Sequence, residues 1–241
     1  MRFIDLTHPI HHGMFKFWGD YHPNVEVEIT GTYERDKCQV RKLVIGTHTG
    51  THIDAPRHFF PEGMSIDRVP VDRFVVDAHV VDLTGKMSGG TISTDDLADL
   101  KFLPGNALIL KIGWDAHWGT DHFYKDFPVL DPDTGRALIG LGVSALAVDI
   151  PLMPDIHEIF LSSGALLIEN LCNLTLIAKP QVTLIAMPLK IQEGDGAPAR
   201  VIALEDFPHG ELRGDASVSD VRLPRVLRVP GSAPKSKERQ V

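Results

Sequence analysis

The stretch HTGTHIDAPRHF, residues 48–59, places three histidines, an aspartate, a glycine and a proline in twelve positions. His48, His52, Asp54 and His58 share even numbering, so an extended chain directs all four to one side. A helix would also bring His48 and His52 together. Thr47, Thr49, Gly50, Thr51 and Ile53 are poor helix residues, however, and Pro56 disfavours helical geometry at Ala55. A straight strand has the right face but the wrong reach, because it would hold the alpha carbons of His48 and His52 roughly 13 Å apart. Both imidazoles reach one point only if the backbone bends between them, and Gly50 sits at that midpoint. The expectation is a bent loop leaving the strand QVRKLVIG, with His48, His52 and Asp54 converging. Pro56 fixes the exit and His58 lies just beyond. Taken on spacing alone, a metal site and a His-rich polar loop stand about level.

Working outward, short apolar runs dominate: RFIDLT, NVEVEI, FVVDAHVVDL, ALILKIG, ALAVDI, ALLIEN, VTLIAMPL and ARVIAL. Their length and Val/Ile content predict strands. The alternation in VEVEI predicts one wet face, and the continuously apolar runs predict strands covered on both sides. Helices are expected at STDDLADL, which opens on an N-cap and stops before Pro104, at DPDTGRALIGLG, and at DIHEIFLSSG ahead of Gly164. The pattern predicts one α/β domain over residues 1–212, with a mixed β-sheet and flanking helices. A basic Pro/Ser-containing tail follows over 213–241, flexible or packed on a partner subunit.

Composition sets the outer limits. The chain has 241 residues, 43% hydrophobic and 23% charged, with a formal net charge of −8. Residues 222–241 hold six basic side chains and one acid, so the body is more acidic than the whole. An acidic body is a poor platform for nucleic acid, which is bound through cationic contacts. No run approaches the roughly 20 apolar residues of a membrane-spanning helix. MRFIDLTHPIHH lacks the basic-then-apolar order of a signal peptide. Cys38 and Cys172 form no disulfide framework, so a cytoplasmic, reduced protein is expected.

HTGTHIDAPRHF resembles HxGTHxDxPxH, the signature of the cyclase family of metal-dependent hydrolases, which includes bacterial kynurenine formamidase and isatin hydrolase. The match is complete at His48, Gly50, Thr51, His52, Asp54, Pro56 and His58. FIDLTHPI, KIGWDAHWG, LLIENLCNL and MPLKIQEGDGAPARVIAL are similar to further family segments, so the resemblance spans about residues 3–204. It implies a swivelling β/β/α fold and one or two divalent ions per subunit, zinc or manganese. His48, His52 and Asp54 match the first ligand set, Asp54 matches a carboxylate that can bridge two ions, and His157 and Glu169 complete the set. A carboxylate closing the apolar run ALLIEN needs a partner, which ligation supplies. Glu158 is a lower-ranked alternative to His157.

By the same resemblance His58 is the catalytic histidine, shuttling a proton to the leaving nitrogen after attack by metal-activated water. Trp18 matches a position against the substrate. Two departures stand out. Gly19 follows Trp18 directly, where the family has a Pro-Gly-Asp turn, and Phe127-Pro128-Val129 replaces a His-Pro-Gly turn. Phe59, with Phe60, Trp114 and Trp118, can line an aromatic pocket, or each can be ordinary core. The implied substrate is a small aromatic amide or cyclic amide. The implied activity is an arylformamidase, releasing formate and an aryl amine. The alternatives are a ring-opening hydrolase of a cyclic amide or lactone, or a metal-binding protein without turnover. The resemblance also implies a homodimer or homotetramer, with neither nucleic acid nor membrane as partner.

Overall fold

The computed structural model describes residues 1–207. In chain order the strands are β1 (Arg2–Asp5), β2 (Glu26–Gly31), β3 (Val40–Val44), β4 (His52–Asp54), β5 (Val75–Asp82) and β6 (Thr91–Ile92). There follow β7 (Ala107–Lys111), β8 (Val129–Leu130), β9 (Ala145–Val148), β10 (Leu166–Glu169), β11 (Gln181–Pro188) and β12 (Gly196–Glu205). The α-helices are α1 (Tyr33–Asp36), α2 (Asp121–Lys125), α3 (Pro132–Gly140) and α4 (Pro154–Ser162).

The expected mixed sheet is present, and it closes on itself. Strands β12, β11, β5, β7, β9, β10 and β4 form a seven-strand ring, because β4 pairs antiparallel with β10 on one edge and with β12 on the other. The run β5–β7–β9–β10 is parallel. β12 is long enough to carry two neighbours end to end along one edge. β4 lies against residues 196–198 and β1 against 202–205, with β11 on the opposite edge.

Residue size explains how so small a ring fills. Every ring strand sends side chains into one shared cluster, and many are alanine: Ala78, Ala107, Ala145, Ala147, Ala199 and Ala203. A narrow barrel has little internal volume, so small residues alternate there with Ile and Leu. The intervening positions of β7, β9 and β10 point outward. Leu108, Leu110, Leu146, Val148 and Leu167 pack beneath α3 and α4 against Leu138, Ile156 and Phe160. Each fully buried Leu contributes about 1.5–3 kcal/mol relative to exposure. These strands therefore read as continuously apolar because both faces are covered.

Two expectations change. STDDLADL forms only a single 3-10 turn, Thr94–Leu97, in spite of the reciprocal Ser93–Asp96 capping box at its start. The strand QVRKLVIG does not enter the barrel. As β3 it pairs with β2 in a separate hairpin, leaving Ile29, Val40 and Leu43 about half exposed. The proposed boundary at residue 212 and the basic tail lie outside the described residues. No helix among the described residues is long and apolar enough to cross a membrane.

Closure depends on a close approach at Gly196. A Cβ there would lie 2.6 Å from the Ile53 carbonyl oxygen and 2.9 Å from His48 Cε1. Gly196→Ala is therefore expected to cost about 1–3 kcal/mol by overpacking, read as a lower urea midpoint. Gly140→Ala, whose Cβ meets nothing within 4 Å, should be neutral or slightly stabilising. Equal midpoints for the two variants would show that β4 is not pinned as described.

Candidate metal centre

The loop 45–51 bends where the sequence places its glycine. Gly50 adopts φ +61°, the left-handed region. Its carbonyl accepts hydrogen bonds from His52 Nδ1 at 2.8 Å and Asn170 Nδ2 at 3.2 Å. The Thr51 hydroxyl donates to the Asn170 carbonyl at 2.7 Å and accepts from the His8 amide at 3.0 Å. The bend is thus stitched to the end of β10. Beyond it, β4 alternates. Ile53 enters the barrel cluster, while His52 and Asp54 point out beneath α4. The antiparallel register sets Glu169 opposite His52.

Five side chains distant in sequence meet on that outer face. Asp54 is completely buried. Its Oδ1 lies 2.6 Å from His48 Nδ1 and 3.2 Å from His52 Nε2, and its Oδ2 lies 3.2 Å from His157 Nε2. Glu169 approaches His52 Nε2 at 3.6 Å and His157 Nε2 at 3.4 Å, and accepts from the Leu152 amide at 2.8 Å. Two groupings suit a cation: His48, Asp54 and His58, and His52, Asp54 and Glu169. In each, the donor atoms lie within 4.8 Å of one another, and Asp54 belongs to both.

Tautomers decide whether these residues fit a metal. His52 Nδ1–H donates to the Gly50 carbonyl, and His157 Nδ1–H donates to the Met153 carbonyl at 3.0 Å. Each ring, when neutral, therefore presents an Nε2 lone pair to carboxylate oxygens, an arrangement that repels unless a proton or a cation lies between. Asp54 Oδ2, buried and without a well-aligned hydrogen bond, has the same need. Imidazoles with hard carboxylate oxygens suit zinc or manganese, so the residues present fit a divalent ion.

The electrostatics agree. Burial opposes a charge on His48, but Asp54 and Asp195 on its two ring nitrogens outweigh burial and push it up to about 10. Burial likewise opposes a charge on His157, and Glu169 and Asp54 push it up to about 9. Asp54 is held well below the usual carboxylate range despite burial, chiefly by His52 and His48. Glu169 is pushed up by burial, with the Asp54 charge adding to it.

His58 ends the 3-10 turn Pro56–His58, its ring 3.9 Å from that of His48 between centroids and its side chain 25% exposed. Phe59 stacks on His157 at 5.0 Å and 16°. Trp18, 44% exposed, rests against Phe17 and Tyr124 with Lys125 Nζ 5.8 Å from its ring. Neither ring contact reaches the cluster. Glu158 is exposed and outside the cluster, which favours His157. Trp114 is core, donating from Nε1 to the Phe123 carbonyl, and Trp118 stacks on His8 at 4.1 Å. Two surface clefts of about 460 and 500 Å³ are lined by none of the cluster, so donor chemistry rather than cavity size picks out the site.

Sequence reasoning missed four neighbours. Asp195 bonds His48, and its only signal was an aspartate between two glycines. Asn170 supports the bend. His22 meets His48 edge-on at 6.3 Å, and burial, then the neighbouring His48, pulls it down to about 4. Tyr124, buried among Phe15, Phe17 and Trp18, has its phenol pushed up by burial and then by Glu169.

Ligation requires neutral imidazoles, so His48 and His157 must lose the protons they hold at pH 7. Calorimetric zinc titrations in buffers of differing ionisation enthalpy should show one or more protons released per ion. Affinity should then rise from pH 7 towards pH 9. Identical heats in all buffers would contradict this charge assignment.

The chain matches the Cyclase family over residues 4–153. It is 31% identical over 220 residues to a kynurenine formamidase of Salinibacter ruber, covering 86% of this chain and 99% of that protein. The crystal structure of an isatin hydrolase bound to the product analogue thioisatinate superposes with a TM-score of 0.77 at 21% identity, covering 84% of this chain and 92% of the other. At that identity the match speaks for the fold. A structure described as a potential metal-dependent hydrolase with cyclase activity gives a TM-score of 0.71 at 27% identity, covering 86% and 99%. With the signature, the closed barrel and these matches in agreement, the chain belongs to the Cyclase family.

Proposed function

We propose that the chain is a metal-dependent hydrolase of an amide C–N bond, acting as an arylformamidase on an N-formylkynurenine-type substrate. The observation that carries the chemistry is the pair of backbone-fixed imidazoles, His52 and His157, whose Nε2 atoms face the buried carboxylates of Asp54 and Glu169. The substrate class rests on the similarity to the Salinibacter formamidase over nearly its full length.

In this proposal His48, His52, Asp54, His157 and Glu169 hold one or two divalent ions, with Asp54 shared. When bound, such an ion supplies an acidified water and a polarised carbonyl. The remaining work falls to the chain. Hydrolysis adds water oxygen to the formyl carbon and breaks its bond to nitrogen, and that nitrogen must collect a proton. In this reading His58, beside the cluster and partly exposed, carries that proton on Nε2. Phe59, held flat on His157, and Trp18 supply planar apolar surface for an aryl ring. The half-exposed Ile29, Val40 and Leu43 on the β2–β3 hairpin support association with a second copy, as a homodimer or homotetramer.

Purified protein loaded with zinc or manganese should release formate from N-formylkynurenine. His58→Ala should retain the metal and lower kcat by roughly 10²–10⁴-fold. Turnover of isatin without turnover of the formamide would select the ring-opening reading. Metal binding with neither activity would leave a passive binder.

A further inference from the structure

Asp195 lies in the turn between β11 and β12, and the proposed chemistry has not yet used it. Its carbonyl accepts from the Ala55 amide at 2.9 Å, so its backbone is tied to the residue after Asp54. One oxygen, Oδ2, lies 2.7 Å from His48 Nε2 and 3.3 Å from His58 Nδ1. A carboxylate accepts and never donates when ionised, so a ring nitrogen that bonds to it is the one carrying the proton. That choice sets the other nitrogen of each ring.

We propose that Asp195 is the positioning residue of the centre, one carboxylate oxygen that selects the tautomer of both His48 and His58. Nε2–H of His48 stays on Asp195 when the proton that Nδ1 shares with Asp54 Oδ1, 2.6 Å away, is given up, so Nδ1 would be the atom left to ligate. His48 would then hold an ion through Nδ1, whereas His52 and His157, with Nδ1–H on backbone carbonyls, would offer Nε2. With Nδ1–H of His58 on the same oxygen, Nε2 of His58 is left as the nitrogen that meets substrate. Ligand and proton carrier are thus set by one group, and neither ring can turn over without losing it. Gly196 belongs to the arrangement, since a side chain there would collide with His48 Cε1.

The inference rests on the metal-dependent hydrolase reading, and the test separates the two. Full-length wild type, Asp195→Asn and Asp195→Ala are compared by cobalt(II) affinity, by turnover of N-formylkynurenine, and by long-range ¹H–¹⁵N spectra of the imidazoles. The Asn variant keeps shape and one acceptor oxygen, which guards against simple misfolding. In the wild type the spectra should show His58 protonated on Nδ1, with or without metal. In Asp195→Ala that assignment should be lost, cobalt affinity should fall roughly 10–100-fold, and kcat should fall more than KM changes. Asp195→Asn should recover part of each. Wild-type affinity and unchanged imidazole tautomers in Asp195→Ala would overturn the positioning role. Failure of the wild type to bind cobalt, or to hydrolyse either the formamide or isatin, would instead overturn the hydrolase reading, with the tautomer comparison still deciding the role of Asp195.

Discussion

Asp54 has no solvent-exposed surface, and a carboxylate withdrawn from water costs several kcal/mol unless its charge is met at close range. Around it stand three imidazoles, one on each of three different backbone supports: the bent loop, β4 itself and helix α4. Each ring is in turn held from behind, by Asp195, by the Gly50 carbonyl and by the Met153 carbonyl. The centre is therefore built outward from one anion, with a second layer of acceptors fixing which nitrogen of each ring faces inward.

The barrel and the site are the same construction. β4 has three residues, two of them pointing into the cluster, and those three also pair with β10 and β12 to close the ring. Closure sets the register that places Glu169 opposite His52. It also brings the turn carrying Asp195 against Ala55. A strand so short has little stability of its own. It is held by neighbours on both edges and by Ile53 in the alanine-rich interior. This explains how one fold can keep a precise donor set on its outer surface, where a helix and a turn complete it.

Much of this was readable from residues 48–58. The glycine pivot, the failure of a helix and the shared face of His52 and Asp54 follow from local chemistry, and Gly50 takes the left-handed conformation the bend needs. The unusual Glu169 at the end of ALLIEN pointed to a buried partner. Other features had no local signal. His157 lies on a helix where a lone histidine reads as surface, and Asp195 reads as a turn residue. Asn170 and His22 act by where their atoms fall in space. The 3-10 turn at Thr94–Leu97 shows the opposite failure, since the capping residues were recognised but the helix they predict was not continued.

The sequence by itself determined the strand-rich α/β character, the bend at Gly50 and the donor types at His48, His52, Asp54 and His58, because these depend on backbone preference and residue chemistry over a few positions. Only the tertiary structure decided that the sheet closes, that His157 reaches Asp54 and Glu169 reaches His52 and His157, and that Asp195 touches two rings. Those relations join residues up to 147 positions apart. They are set by strand register and side-chain volume across the barrel, which no local stretch of chain encodes.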